Sequence, residues 1–239
     1  MMDINVLLLC YNEAALLPHT IKHYKQYLPS CKITVLDNYS TDDSVKIANE
    51  LGCNVLPWNS NNMMDELIQT TLRNNMWKLY KSGWIIIADM DEFICVTEED
   101  LKNELNSGVT ILNIKGYDMV GESETIDLSD IDLQKIIKYV DNDGESKKLC
   151  FLRDKITDMN YGPGSHSCNP LGIIKYSSNF YINKHMTYLG LPFLRKKLIE
   201  RYNRCENMRK IGLCIHYTDD LIKIENIYNT KIKSCKLLP

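Results

Sequence analysis

Two aspartates, Asp89 and Asp91, follow an apolar run at residues 84–88. On an extended chain, side chains two positions apart point to the same side, so the pair presents two carboxylates together. Such a pair needs a cation between its members, or one member must take up a proton. Oxygen ligands of this kind suit Mg²⁺ or Mn²⁺, ions that usually keep positions for substrate phosphates. The spacing predicts a divalent-metal site, and the alternative is a strand that merely ends in an acidic turn.

Alternating strands and helices are predicted to position this pair. The apolar runs typical of strands cover residues 4–10, 32–36, 53–57 and 84–89. Segments with helical spacing lie between them, at residues 18–28, 40–51 and 63–81. Ser40, with Asp43 three positions later, is the predicted cap of the second helix. Such alternation requires right-handed crossovers and a parallel sheet, whose ligands bind at the carboxyl ends of the strands.

The regular alternation is lost in the second half of the chain. Further strands are predicted at residues 109–114, 173–176 and 180–182, and further helices at residues 97–106, 131–139, 192–207 and 219–228. The chain of 239 residues is long enough for one large α/β domain. We therefore expect a single domain over 1–239, with halves at 1–120 and 121–239.

Composition excludes several classes of protein. The net charge of −3 argues against a nucleic-acid-binding protein, because such proteins carry a basic footprint. The nine cysteines are odd in number and form no C-x-x-C pair, which favours reduced thiols over disulfides or zinc. No apolar stretch approaches the length of a membrane span, and no secretory signal precedes the first strand. These features predict a cytoplasmic protein.

Four segments, in order, resemble the nucleotide-sugar half of a GT-A-fold glycosyltransferase of the family-two type. They are Cys10-Tyr11-Asn12-Glu13, the stretch from Leu36 to Asp42, Arg73-Asn74 and Asp89-Met90-Asp91. Arg73 precedes Asp89 by sixteen positions, as the Arg-Asn pair of that family does. The segment 162–166 and the His185 region are similar to a branch with an Asp-x-Asp-Glu-Phe signature. The likeness is specific over residues 4–120 and looser to residue 217.

The resemblance implies a GT-A (Rossmann-like) fold, a mixed, mainly parallel sheet flanked by helices with a less regular acceptor-side half. It also implies metal-dependent, inverting transfer of a sugar from a nucleoside diphosphate sugar, expected to be a UDP-sugar, to a glycan or other hydroxyl acceptor. The implied nucleotide-sugar-binding residues are Cys10, Tyr11, Asn12, Glu13, Asp37, Asn38, Ser40, Arg73 and Asp89. Chemically, Asp37 suits the imide N–H of uracil, Tyr11 suits stacking on the base, and Arg73 suits a base carbonyl or phosphate. The alternatives are that Asp37 and Ser40 only shape the turn before the next helix, that Asn12 and Glu13 do likewise, and that Arg73 is a solvated helix charge.

The remaining site residues have competing interpretations. Asp118 and Glu122 are the candidate catalytic bases, and Asp118 is alternatively a turn-forming residue. His166 is the candidate third metal ligand beside Asp89 and Asp91, for Mn²⁺ or Mg²⁺, and His185 competes for that role. The basic helix predicted at residues 192–207 is expected to be mostly a solvated face, with one or two of its cations reaching the diphosphate.

Two other functions stay open. A nucleotidyltransferase also uses carboxylates and a nucleotide-binding sheet, but it requires a glycine-rich, basic loop after the first strand, which residues 11–14 lack. A non-catalytic sugar-nucleotide- or carbohydrate-binding protein of the same fold is the third possibility. If Asp91 only binds metal at a strand end, its replacement by alanine should leave the fold intact.

Overall fold

A ten-stranded mixed sheet and a small two-stranded sheet organise the chain, of which the computed structural model describes residues 2–238. The strands are β1 (Ile4–Cys10), β2 (Lys32–Asp37), β3 (Asn54–Pro57), β4 (Trp84–Asp89), β5 (Glu92–Cys95), β6 (Ile111–Val120), β7 (Lys138–Asp141), β8 (Cys150–Leu152), β9 (Ile156–Asp158), β10 (Leu171–Gly172), β11 (Tyr176–Tyr188) and β12 (Lys236–Leu237). The helices are α1 (Leu17–Tyr27), α2 (Ser44–Glu50), α3 (Glu66–Asn75), α4 (Glu98–Asn106), α5 (Leu191–Arg204), α6 (Glu206–Lys210) and α7 (Leu221–Ser234). Short 3₁₀ turns cover Met76–Leu79, Leu133–Lys135, Asp143–Glu145 and Pro163–Ser165.

The order of the strands separates a parallel part of the sheet from an antiparallel part. The main path runs β12-β7-β6-β8-β4-β1-β2-β3. Strands β4, β1, β2 and β3 are parallel neighbours, whereas β8, β6, β7 and β12 join antiparallel. Strand β11 pairs parallel with β6 on one side and antiparallel with β5 on the other. This confirms the predicted α/β fold with a mostly parallel central sheet.

Alternate residues of β1 supply two separate hydrophobic layers. Val6 and Leu8 pack on one face of the sheet with Ile21 of α1, and Leu7 and Leu9 pack on the other face with Trp77. Both faces are therefore covered, which is why the parallel strands are continuous apolar runs rather than alternating ones. The predicted start of α4 is also confirmed, because Thr97 and Asp100 form a reciprocal capping box.

Two predicted helices begin later than expected. Helix α2 begins at Ser44, and Ser40 instead donates its hydroxyl to Asp37 at 2.6 Å in the turn that follows β2. Helix α3 begins at Glu66, because the Asp65 side chain accepts hydrogen bonds from the backbone of residues 67 and 68. It ends at Asn75, and the predicted helix over residues 63–81 continues only as a 3₁₀ turn.

The strands of the second half differ most from the prediction. Strand β5 was not predicted, β6 extends to Val120, and the runs at 173–176 and 180–182 give way to a single long strand, β11. The helix predicted at residues 131–139 is wrong: a 3₁₀ turn leads there into β7, which pairs with β6. Long-range pairing overrides local helical preference at these positions. The last two predicted helices are α5, ending at Arg204, and α7, which continues to Ser234.

All nine cysteines are unpaired thiols. Within residues 2–238, none of the helices combines the length and the apolar character needed to cross a bilayer.

Candidate active site

A cavity of about 560 Å³ opens at the carboxyl ends of β1 and β4. Register explains why the sequence motifs meet there, since Leu9 of β1 lies beside Asp89 of β4 and Cys10 lies beside Asp37 of β2. The predicted site residues that line the cavity are Cys10, Tyr11, Asn12, Glu13, Asn38, Arg73, Asp89, Asp91, Asp118 and His166. Asp37, Ser40 and Glu122 are not among the lining residues.

Asp89 forms an ion pair with Arg73, whose side chain is 2% exposed. Arg73 lies in the last turn of α3 and donates from Nη2 to Oδ1 of Asp89 at 2.5 Å. Burial disfavours ionisation of Asp89, but the guanidinium outweighs this and lowers the pKa of the carboxyl. The buried Nε and Nη1 of Arg73 have no hydrogen-bond partner among residues 2–238. Arg73 therefore keeps two donors that no described residue satisfies.

Asp91 is buried among donors that all contact one of its oxygens. Oδ2 receives the Thr187 hydroxyl at 3.0 Å and lies 2.9 Å from Nζ of Lys197. The same oxygen is 3.4 Å from Nε2 of His185 and 3.4 Å from Nη2 of Arg201. Burial opposes ionisation of Asp91, but Lys197 and His185 outweigh it and hold the pKa of the carboxyl well below its usual range.

Asp118, the first candidate base, lies in the wall of the cavity with both oxygens occupied. The pairing of β11 with β6 places His185 opposite Asp118, and His185 Nδ1 lies 2.8 Å from Oδ1 of Asp118. Asn142 donates to the same oxygen at 3.0 Å, and Nζ of Lys231 lies 2.5 Å from Oδ2. Burial disfavours the charged form of His185, but the carboxylates of Asp91, Glu145 and Asp118 raise its pKa to about 10. His185 is thus an imidazolium between two carboxylates at neutral pH.

Glu122, the second candidate base, lies just beyond the end of β6. Its side chain is 59% exposed and accepts a hydrogen bond from Lys138 at 2.7 Å. The structure therefore brings Asp118, and not Glu122, to the cavity.

The turns that follow β1 and β2 are joined by hydrogen bonds. Asn12 has a left-handed φ of 53°, a conformation that asparagine tolerates better than most residues. Its backbone N–H donates to the Ser40 hydroxyl at 2.9 Å, and its Oδ1 accepts from the Thr41 backbone at 2.7 Å. Asp37 is buried beneath this turn, where it accepts from the backbone and hydroxyl of Ser40. Asp37 and Ser40 therefore fix the shape of the edge on which Asn12 lies.

Side chains of α5 cover the same edge. The Arg204 guanidinium lies 3.1 Å from the centre of the Tyr11 ring, and Glu200 accepts from Nδ2 of Asn12 at 3.0 Å. Lys197 donates to Glu13 at 3.0 Å. Asn38, on the other side of the turn, donates to the Ser60 hydroxyl at 2.8 Å. Burial keeps the Cys10 thiol neutral, with a pKa raised to about 12.

His166 does not join the two aspartates in this structure. It is an exposed residue, and its Nδ1 contacts the Gly144 carbonyl at 2.8 Å. Over residues 2–238, no three His, Cys, Asp or Glu side chains are grouped closely enough to hold a metal ion. The two aspartates nevertheless fit a metal that also binds phosphate. All hydrogen bonds to the side chain of Asp89 go to Oδ1 and all those to Asp91 go to Oδ2, so each has a second oxygen with no donor from the described chain.

A buried charged group beneath Asp89 was not predicted from the sequence. Glu92 is fully buried, and its Oε2 accepts the backbone N–H of Asp89 at 2.7 Å. Lys147 donates to Glu92 at 2.8 Å and lies 2.8 Å from Glu145. Burial raises the pKa of Glu92 to about 7, against the opposing effect of Lys147. The sequence signals were a glutamate next to apolar Phe93 and Ile94 and its place in the Asp-x-Asp-Glu-Phe signature.

One family model matches the first part of the chain. Residues 5–94 match the family model described as "Glycosyl transferase family 2". No curated protein matches the chain.

Three solved structures are similar to about half of this chain. Residues 1–349 of TarS from S. aureus, in complex with UDP, align with 18% identity and a TM-score of 0.39, over 51% of this chain and 38% of that one. Glucosyl-3-phosphoglycerate synthase from Mycobacterium tuberculosis, in complex with Mn²⁺, UDP and glucosyl-3-phosphoglycerate, aligns with 22% identity and a TM-score of 0.34, over 48% and 44%. The mannosyltransferase PcManGT from Pyrobaculum calidifontis, in complex with GDP-Man and Mn²⁺, aligns with 14% identity and a TM-score of 0.35, over 48% and 37%.

The chain thus spans less than half the length of each of these three structures. The family match covers strands β1 to β4 and most of β5, the segment that carries Tyr11, Asp37, Arg73, Asp89 and Asp91. Residues 5–94 thus resemble glycosyl transferase family 2, and they contain the parallel strands β1 to β4 of the sheet.

Proposed function

We propose that the chain is a metal-dependent glycosyltransferase that moves a sugar from a nucleoside diphosphate sugar, with a UDP-sugar as the expected donor, to an acceptor hydroxyl with inversion. One observation carries the proposal. Asp89 and Asp91 each have a carboxylate oxygen with no donor among residues 2–238, in a cavity shared with the turn after β1, within the segment that matches the family. Carboxyl ends of parallel strands are where open α/β sheets bind nucleotides.

The nucleotide would lie along the edge formed by the turns after β1 and β2. Tyr11 offers a ring for the base, and Arg73 offers its two unpartnered nitrogens to a base carbonyl or phosphate. Asp37 remains the proposed partner of the uracil imide, with Ser40 fixing the orientation of its carboxylate. The Arg204 guanidinium covers the Tyr11 ring, so we expect it to move when a base stacks there.

The free oxygens of Asp89 and Asp91 would hold Mn²⁺ or Mg²⁺. When bound, such an ion would neutralise the charge that develops on the departing diphosphate. His166 remains a proposed further ligand. If its Nδ1–H donates to the Gly144 carbonyl, the tautomer leaves the lone pair on Nε2, the form in which a neutral imidazole binds a metal.

Asp118 remains the proposed base because it lines the cavity, whereas Glu122 does not. Two features weaken Asp118 as a base: three donors contact its carboxylate, and the pKa of the carboxyl is lowered. Burial would raise that pKa, but the hydrogen bond from His185 outweighs burial. This favours a second candidate function, a non-catalytic protein that binds a nucleotide sugar in the same cavity. A nucleotidyltransferase gains no support, because the turn at residues 11–14 contains no glycine.

Ligand-induced stabilisation tests the proposal. UDP with Mn²⁺ at a hundred times its dissociation constant should add about 2.7 kcal/mol to the free energy of unfolding, which a thermal melt detects. GDP and a panel of UDP- and GDP-sugars identify the donor by the same measurement. No shift with any nucleotide would contradict both an enzyme and a binding protein. Release of free UDP from a stabilising UDP-sugar, with acceptor or water, separates the enzyme from the binding protein.

A further inference from the structure

Helix α5 presents one stripe of side chains to the carboxyl edge of the sheet. Residues 197, 200, 201 and 204 lie three or four positions apart and therefore share a face of the helix. The sequence predicts a mostly solvated basic face here, but the Lys197 and Arg201 side chains are 7% and 23% exposed. Both line the cavity. Lys197 and Arg201 therefore face the cavity, and the expectation that one or two cations of this helix reach the diphosphate stays a prediction.

Lys197 and Arg201 differ in how closely carboxylates contact them. Lys197 lies 2.9 Å from Asp91 and 3.0 Å from Glu13, two close carboxylates for one ammonium. Within residues 2–238, the Arg201 guanidinium makes only two polar contacts, both long: 3.4 Å to Asp91 and 3.5 Å to the Tyr217 hydroxyl. A guanidinium has five N–H donors, so most of the donors of Arg201 are uncommitted.

Asp91 alone does not account for the position of Arg201. The oxygen that Arg201 approaches already receives Thr187 and lies close to Lys197 and His185. The Lys197 ammonium already lies closer to this carboxylate than the Arg201 guanidinium does. Placing a further cation in a largely buried wall is costly unless an anion completes the site. A guanidinium with uncommitted donors in the wall of the cavity therefore suits an anionic ligand.

We propose that Arg201 binds the diphosphate of the donor, an inference that rests on the proposed function. The planar guanidinium fork matches phosphate oxygens better than an ammonium does. Arg73 contacts Asp89 and Arg201 contacts Asp91, so each carboxylate of the pair has a guanidinium beside it. Tyr217, whose ring centre is 5.6 Å from the Arg201 guanidinium carbon, is the positioning residue.

Calorimetric titration with uridine, UDP and inorganic pyrophosphate, in a buffer containing Mg²⁺, tests this role. Arg201→Gln should weaken UDP and pyrophosphate binding about tenfold or more, the usual size for a hydrogen bond to a charged group, and should leave uridine binding unchanged. Arg201→Lys keeps the charge without the fork and should give an intermediate loss. Arg195→Gln is the matched control, the same change on the same helix outside the cavity lining, where Arg195 pairs with Glu225 at 3.0 Å.

The outcomes separate this inference from the proposed function. If the parent binds UDP and the Arg201 variants bind it equally well, the diphosphate role is wrong while the proposed function stands. An equal loss for uridine and UDP indicates a structural role and also overturns it. If Arg201→Gln does not fold, the comparison of Arg201→Lys with the parent decides in the same way. Should the parent bind none of the three probes, the proposed function and this inference both fail.

Discussion

Replacing Asp91 with asparagine should both abolish metal-supported binding of UDP and destabilise the fold. The proposed metal ligand is the carboxylate oxygen that no described donor contacts. Replacing a residue that only supports a metal ligand typically lowers metal affinity about 10–100-fold, so loss of this ligand should lower Mn²⁺ affinity at least about 100-fold. The other oxygen faces Lys197, His185 and Arg201. Removing one partner of a buried ion pair typically costs about 3–5 kcal/mol, because the remaining charges stay buried.

The expected loss of stability is the opposite of what the sequence alone predicts for Asp91. Viewed as a strand-end residue, Asp91 should be dispensable for folding, but the structure shows a side chain with 2% exposure and three cationic neighbours. Urea denaturation measures the stability change, and titration with Mn²⁺ measures the metal affinity. Asp130→Asn, at an exposed aspartate, is the control and should change neither. An Asp91→Asn variant as stable as the parent would contradict the central role of this ion cluster.

Replacing Lys147 with methionine should lower the free energy of unfolding by about 3–5 kcal/mol. Lys147 is 5% exposed and lies 2.8 Å from both Glu92 and Glu145, so its loss leaves two carboxylates without their cation. Lys138→Met is the matched control, because Lys138 also pairs with a glutamate, Glu122, but at an exposed position. Solvent screens that surface pair, so its loss should change the free energy of unfolding far less than the loss of Lys147.

A double variant shows whether the buried pair acts as a unit. Glu92→Gln in the Lys147→Met background removes one of the two unpaired carboxylates and should restore part of the lost stability. Simple addition of the two single effects would argue against a direct interaction. Denaturant midpoints and slopes of all four proteins provide the measurement.

The parallel part of the fold could be predicted because its signals are local. Strands β1, β2 and β4 are continuous apolar runs, and the carboxyl-edge residues follow directly from where those runs end. The antiparallel part could not be predicted, because β5, β7 and β11 depend on partners far along the chain. The helix predicted at residues 131–139 failed for this reason: pairing with β6 decides the conformation of residues 138–141.

The same contrast holds for the site. The spacing of Asp89 and Asp91, and the position of Arg73, were evident from the sequence, and the cavity contains all three. The neighbours of Asp91 come from residues 185–201, about a hundred positions later, and no local pattern indicates which cation of a basic helix turns inward. Their identification required the pairing of β11 with β5 and β6 and the packing of α5.

Strand β11 also determines how far the chain can be shortened. It is the sole described partner of β5, and it covers one side of β6 along most of its length. A fragment that ends before residue 176 would leave both strands with open rows of backbone donors and acceptors. Open edges of this kind recruit strands from other molecules and promote aggregation. The segment that matches the family ends within β5, so an expression fragment cut at that boundary is expected to be insoluble, although it contains every sequence motif of the nucleotide-sugar half.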